Sequence, residues 1–246
     1  MKVFDAFERI RIVNLAHRTD RRAEMEEQLR RVGLQDDPRV AFFEAVKGQT
    51  EGLFYSKGAH GVFLSQRTIL DEAAAAGQSV LILEDDCDFL PGAADFELRA
   101  GVDVFYGGYH ASDPQNLHNS PIIGAHFMGF SARAAKAASA YLADYLNEDF
   151  PPDPESAREP DYKPNKRPGV DGAYVWFRRA HPDLKTQFAQ IGVQRPSRTD
   201  IGRTAWFDRV PVVRNLAGIV RKLRRVFGKR HGFKADHLEF GRGGDR

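Results

Sequence analysis

The chain has 246 residues, of which 42% are hydrophobic and 28% charged, enough apolar content for one full core, which excludes a chain disordered throughout. A single cysteine, Cys87, excludes an internal disulfide framework and suits a reducing compartment. The net charge of +2 is unevenly spread: nine Lys or Arg residues and no acid stand between Asp208 and Asp236, so the rest of the chain carries −7.

Residues 1–10 include Asp5, Glu8 and Arg9 and have no apolar h-region, so no secretory signal is expected. No window reaches the length of a transmembrane helix, and a cytosolic protein is expected. "RIRIVNL" (9–15) alternates and then runs apolar, which predicts a first strand. Thr19 or Asp20 is placed to cap a helix whose apolar positions Ala23, Met25, Leu29 and Val32 follow helical spacing, with Gly33 as its stop. "RVAFFEAV" (39–46) predicts a second strand, "GVFLSQRTILDEAAAAG" (61–77) a helix, and "SVLILE" (79–84) a third strand. "VDVFYGG" (102–108) and "IIGAHFMGF" (122–130) predict further strands, and the alanine-rich "SARAAKAASAYLADYL" (131–146) a helix capped by Ser131. Strands alternating with helices predict an α/β domain with a largely parallel sheet. Six of the thirteen prolines fall in residues 150–169, a patternless segment expected to be either a functional lid or a disordered insertion. A further helix, "GAYVWFRRA", follows Asp171, which is either its N-cap or a catalytic base. There is no internal repeat, no GxGxxG after the first strand and no GxxxxGK[ST].

Two stretches carry chemistry. The third strand runs directly into Glu84, Asp85, Asp86 and Asp88, four carboxylates within five positions. Such a cluster needs compensation by a cation, amide donors or water, and a hard divalent metal is the strongest match for oxygen ligands. The alternative is a solvated turn. The first strand hands over to "NLAHRTDRR", with Asn14, His17, Arg18, Arg21 and Arg22; arginines before a helix N-terminus suit phosphate, and the alternative is a salt-bridged first helical turn. Together at one sheet edge, the two stretches would hold a nucleoside diphosphate between arginine and Mg²⁺ or Mn²⁺. His60, His110, His118 and His126 lack metal spacing, Cys87 sits among acids that disfavour a thiolate, and Trp176 and Trp206 are expected in the core unless they stack on sugar.

In this order, "IVNLAHRTDRRAEMEEQL", "FFEAVKG", "LILEDDCDF", "VDVFYGG" and "VQRPSRTDIG" resemble glycosyltransferase family 25, which includes bacterial lipooligosaccharide and collagen galactosyltransferases. The resemblance spans roughly residues 9–202. It implies a GT-A-like, Rossmann-type nucleotide-sugar-binding fold, a UDP-sugar donor and transfer with inversion. Asn14, Arg18, Asp20, Arg21 and Arg22 match the family's first motif, Glu84, Asp85 and Asp86 its acidic motif, and Gln194, Ser197, Asp200 and Ile201 its closing motif. Gly61 and Ser65 are kept, while Ala16, His17, Val62 and Gln66 depart from it. Asn14, Arg18, Arg21, Arg22, Glu84, Asp85, Gln194 and Asp200 are thus expected at the donor; Asp86 is assigned as leading metal ligand with Asp88 completing an Asp-x-Asp, and Asp171, which follows the Pro-rich loop, as base. The expected reaction moves galactose or glucose from UDP to a lipopolysaccharide-type saccharide acceptor. The alternatives are a metal-dependent phosphohydrolase and a non-catalytic nucleotide-sugar-binding module.

A domain over residues 1–208 would then be followed by a basic tail, 209–246. In "RNLAGIVRKLRRVF" the apolar Leu216, Ile219, Val220, Leu223, Val226 and Phe227 share one helical face opposite Arg214, Arg221, Lys222 and Arg225. This predicts a basic amphipathic helix and an anionic membrane surface as partner of residues 214–234, at the cytosolic face. A helix docked on the body or a nucleic-acid contact are the alternatives, and nucleic acid is not the expected partner.

Overall fold

A computed structural model describes residues 1–158 and 162–195. The basic tail and Ser197, Asp200, Ile201 and Trp206 lie outside the described residues. The elements are β1 (Arg9–Asn14), α1 (Thr19–Arg31), β2 (Val40–Glu44), α2 (Lys57–Ala76), β3 (Val80–Glu84), β4 (Cys87–Phe89), β5 (Val104–Tyr106), β6 (His110–Ala111), β7 (Ile122–Ile123), β8 (Phe127–Phe130), α3 (Ala132–Asp144), α4 (Val170–Ala180), β9 (Thr186–Phe188) and β10 (Gly192–Gln194).

Six strands form the central sheet in the order β2-β1-β3-β8-β5-β9. β1 pairs in parallel with both β2 and β3, and β5 with β9; β8 runs antiparallel to β3 and β5. The fold is therefore a Rossmann-like α/β domain with a mostly parallel sheet. From β1 the chain passes through α1 to β2 on one side, then through α2 to β3 on the other. That reversal of direction beside β1 opens a crevice at the carboxyl ends of β1 and β3, where open α/β sheets bind ligands.

The sheet is buried on both faces. Val80 and Ile82 join the core under α2, α3 and α4, while Leu81 and Leu83 face the other way, with Met25 and Leu29 of α1. These four apolar residues of β3 are 0% exposed, and each contributes about 1.5–3 kcal/mol by leaving water. This two-sided burial is why the strand reads as an unbroken apolar run.

Helix ends follow local chemistry. Ser131 Oγ accepts from Ala134 N–H at 3.1 Å, and Gly77 ends α2 with φ 65°. α2 begins four residues before the expected start, capped by Ser56, whose Oγ accepts from Ala59 N–H at 3.1 Å. α1 lacks a side-chain cap: Arg18 is its N-cap, so Thr19 and Asp20 are already helical, and Gly33 follows with φ 77°. Nor is Asp171 an N-cap, because Gly169 holds that position and Asp171 lies in the first turn of α4. Gly124, with φ 106°, divides the single strand expected over 122–130 into β7 and β8.

The described part of the Pro-rich segment is tied to the body. Arg179 Nη1 lies 2.5 Å from Asp153 Oδ2, and Trp176 Nε1 donates to Ser156 Oγ at 2.8 Å. Arg167 Nη2 donates to the carbonyls of Asn147 and Phe150 at 2.8 and 3.0 Å. Trp176 is a buried core residue at 2% exposure. No helix among the described residues is long and apolar enough to cross a membrane.

Candidate active site

The acidic turn sits in the crevice between β1 and β3. Asp85 N–H donates to the Val13 carbonyl at 3.2 Å, prolonging the β1–β3 pairing by one residue past Glu84. Asn14, last in β1, donates through Nδ2 to Asp85 Oδ2 at 2.7 Å and to the Arg18 carbonyl at 3.2 Å. Arg21, in the first turn of α1, reaches Asp85 Oδ1 with Nη1 at 2.9 Å and lies 3.7 Å from Asp86 Oδ2. The arginine loop and the acid cluster, 64 positions apart, thus meet directly.

The far end of the chain closes the site. β10 pairs antiparallel with β4, setting Gln194 opposite Cys87, and Arg195 N–H donates to the Asp86 carbonyl at 2.7 Å. Gln194 Nε2 donates to Asp86 Oδ2 at 3.3 Å, while Asp86 Oδ1 is buried without a hydrogen-bond partner. Asp88, expected as a second metal ligand, has its Oδ1 held by Arg195 Nε and Nη2 at 3.1 and 2.6 Å. Arg195 also pairs with Glu24 of α1. Nothing in the sequence reading singled out Arg195; its signal was its position, immediately after Gln194 in the closing motif.

Glycines allow this convergence. A Cβ on Gly108 would fall 2.2 Å from His126 Nε2 and 2.5 Å from the Gly192 carbonyl oxygen. One on Gly192 would meet the Phe127 ring at 2.8 Å and Cys87 Sγ at 3.0 Å. The "YGG" following β5 and the Gly opening β10 therefore let three backbone segments close behind the acids.

A second acidic pair, Glu84 and Asp171, stands beside these. Glu84 accepts from Gln66 Nε2 at 3.0 Å, and Gln66 Oε1 accepts from Tyr174 Oη at 2.9 Å. Gln66, a departure from the family pattern, is thus a fully buried link between α2, β3 and α4, and Tyr174 is a site neighbour that the sequence reading did not identify. Asp171, one turn before Tyr174, accepts from Gly172 N–H at 2.9 Å and from Gly124 N–H at 3.5 Å. Burial, then the charges of Asp86, Asp171 and Asp85, push the Glu84 carboxyl up to about 8. Burial also raises Asp86, against the pull of Arg21, and raises Asp171 against the backbone donors that favour its anion. The Cys87 thiol is pushed up by burial and by Asp86, Glu84 and Asp88, so it is not a nucleophile.

Two expected donor-site arginines turn elsewhere. Arg18 lies against Asp20 at 2.9 and 2.7 Å, and Arg22 pairs with Glu26 at 3.0 Å and covers the Phe42 ring at 4.2 Å. Among the described residues, no three His, Cys, Asp or Glu side chains form a group able to hold a metal ion. What the crevice offers a cation is the unpartnered Asp86 oxygen, which fits an ion that takes most of its shell from phosphate and water.

No family model matches the sequence, and no curated protein matches it. Among solved structures, the chain is similar to a glycosyltransferase involved in the glycosylation of the major capsid of PBCV-1. The identity is 12% and the TM-score 0.46, over 78% of this chain and 94% of that chain.

Proposed function

We infer that this chain is a glycosyltransferase that moves galactose or glucose from a UDP-sugar to a hydroxyl of a lipopolysaccharide-type saccharide, with inversion. One observation carries the reading: Asn14, Arg21, Asp85, Asp86 and Gln194, drawn from three distant stretches, converge at the crevice where the sheet order reverses. Their pattern is the one that resembles family 25.

Within that reading, Asn14 and Arg21 fix the acidic turn through Asp85, and Arg21 supplies positive charge beside the donor's phosphates. Asp86 would hold Mn²⁺ or Mg²⁺, which would supply Lewis-acid stabilisation of the departing diphosphate. Asp171 takes the acceptor's proton, and its burial, which raises its pKa, strengthens it as a base. Glu84, oriented by Gln66 and mostly protonated at neutral pH, offers the sugar a hydrogen bond rather than a charge. The saccharide acceptor, and an anionic membrane as partner of residues 214–234 at the cytosolic face, belong to the same proposal.

The test is release of UDP from UDP-galactose or UDP-glucose, with and without saccharide acceptor, in Mn²⁺. Acceptor-dependent release supports the transferase. Release equal with and without acceptor would point to a hydrolase, and UDP binding without turnover on any acceptor to a binding module.

A further inference from the structure

On the flank of edge strand β9, away from the acidic crevice, lies a cavity of about 1190 Å³. Its walls are the C-terminal half of α4, the start of β9 and the stapled Pro-rich segment beginning at Phe150. It shares no lining residue with the crevice.

Arg178 is the unusual group in these walls. It stands seven residues beyond Asp171 on α4, roughly 10 Å along the helix, and is 5% exposed. Its guanidinium lies 5.5 and 5.3 Å from the Tyr106 and Phe188 ring centroids. Nη2 donates to the Ser120 carbonyl at 3.1 Å and the Tyr106 hydroxyl interacts with the guanidinium, but Nε and Nη1 have no partner in hydrogen-bond geometry. Among the described residues, no carboxylate lies within ion-pair distance of Arg178, since the two acids of the cavity wall are engaged elsewhere: Asp153 with Arg179, Glu155 with Arg158. A buried cation without a counter-charge costs several kcal/mol, and ring faces return about 2 kcal/mol or less. Burial and the charge of Arg178 both lower the His118 pKa, so His118 lines the cavity as a neutral hydrogen-bonding group. Arg179 Nε and Thr186 Oγ1 are likewise buried without partners.

We propose that this cavity binds an acidic sugar, a saccharide bearing a carboxylate or phosphate whose oxyanion neutralises Arg178. Each open N–H of the guanidinium can make a single charge-assisted hydrogen bond to an oxyanion oxygen. The rings of Tyr141 and Phe150, 5.2 Å apart at the wall, offer apolar faces to a sugar ring, while Asn119 and His118 offer hydrogen bonds to hydroxyls. The inference stands independently of the transferase reading.

Calorimetric titration of the full chain with glucuronate, glucose 1-phosphate, inorganic phosphate and glucose tests it. Binding of glucuronate or glucose 1-phosphate, with glucose not bound and phosphate weaker, is expected; which acid binds more tightly distinguishes carboxylate from phosphate. Arg178→Met is expected to weaken binding by about tenfold or more, the loss of one charge-assisted contact. Thr186→Val, nearly isosteric, is expected to weaken it several-fold and decides the matter should Arg178→Met not fold. Asp86→Ala and saturating UDP are expected to leave it unchanged. No binding of either acidic sugar at roughly 10 mM, weaker than any affinity a built site would give, overturns the proposal. So does unchanged affinity in Thr186→Val, or phosphate binding as tightly as the sugar phosphate.

Discussion

Replacing Glu84 with glutamine removes an anion that the fold holds against both desolvation and three neighbouring acids. A carboxyl whose folded pKa is raised from 4.5 to about 8 favours the unfolded chain once pH exceeds the lower value. The penalty is absent below about pH 4.5, grows through the interval and levels off above about pH 8. At 1.36 kcal/mol per tenfold change in acidity constant, its ceiling at pH 8 is about 4 kcal/mol. Relaxation and water entry reduce this to about 1–3 kcal/mol. The glutamine carbonyl can still accept from Gln66 Nε2, so the hydrogen bond does not offset the gain. Urea unfolding of wild type and Glu84→Gln in chelator, from pH 4.5 to 8.5, should show curves that coincide at the acid end and a variant that is more stable at pH 8. A variant less stable at pH 8, or a difference independent of pH, would refute the reasoning.

Asp171→Asn keeps size and removes the proposed proton acceptor, so turnover should fall by about 10²-fold or more while UDP affinity stays unchanged; equal losses in both would make Asp171 a structural residue. Gly108→Ala places a methyl against His126 and the Gly192 backbone and should cost about 1–3 kcal/mol in urea unfolding. Asp153→Ala leaves the largely buried Arg179 without its carboxylate, keeping only the Asn119 carbonyl, and should cost about 3 kcal/mol, with faster proteolysis within residues 150–158. Wild-type cleavage rates there would show that the staple does not hold the segment.

The parts of the molecule legible in sequence are those whose signal is local. The apolar run ending in Glu84 marked β3 because both faces of that strand are buried, and Ser131 marked the start of α3 because a cap is a contact within one turn. The acidic turn was found for the same reason, its charge density being visible in five residues. What stayed hidden depends on distant contacts. The first turn of α2 precedes the expected start at Gly61 and contains Gly58, a poor helix former. A Cβ on Gly61 would lie 2.4 Å from the Val46 carbonyl oxygen, so its place in the helix is explained only by the neighbouring loop. β9 and β10 have three residues each, too few to show a period, yet β10 brings Gln194 and Arg195 to the acids. The arginines illustrate the same limit, because spacing groups Arg18, Arg21 and Arg22 together, whereas helical geometry sends Arg21 to Asp85 and Arg22 to Glu26.

The measurement that tests the central claim most directly is calorimetric binding of UDP, with and without Mn²⁺, to wild type and Asp86→Ala. The account predicts UDP binding that requires Mn²⁺ and is lost in the variant, while the variant's urea midpoint at pH 8 is equal to or above that of wild type, because Asp86 too is a buried anion. Absence of UDP binding under any condition, or binding indifferent to both metal and Asp86, would contradict the assignment of the crevice as a diphosphate site.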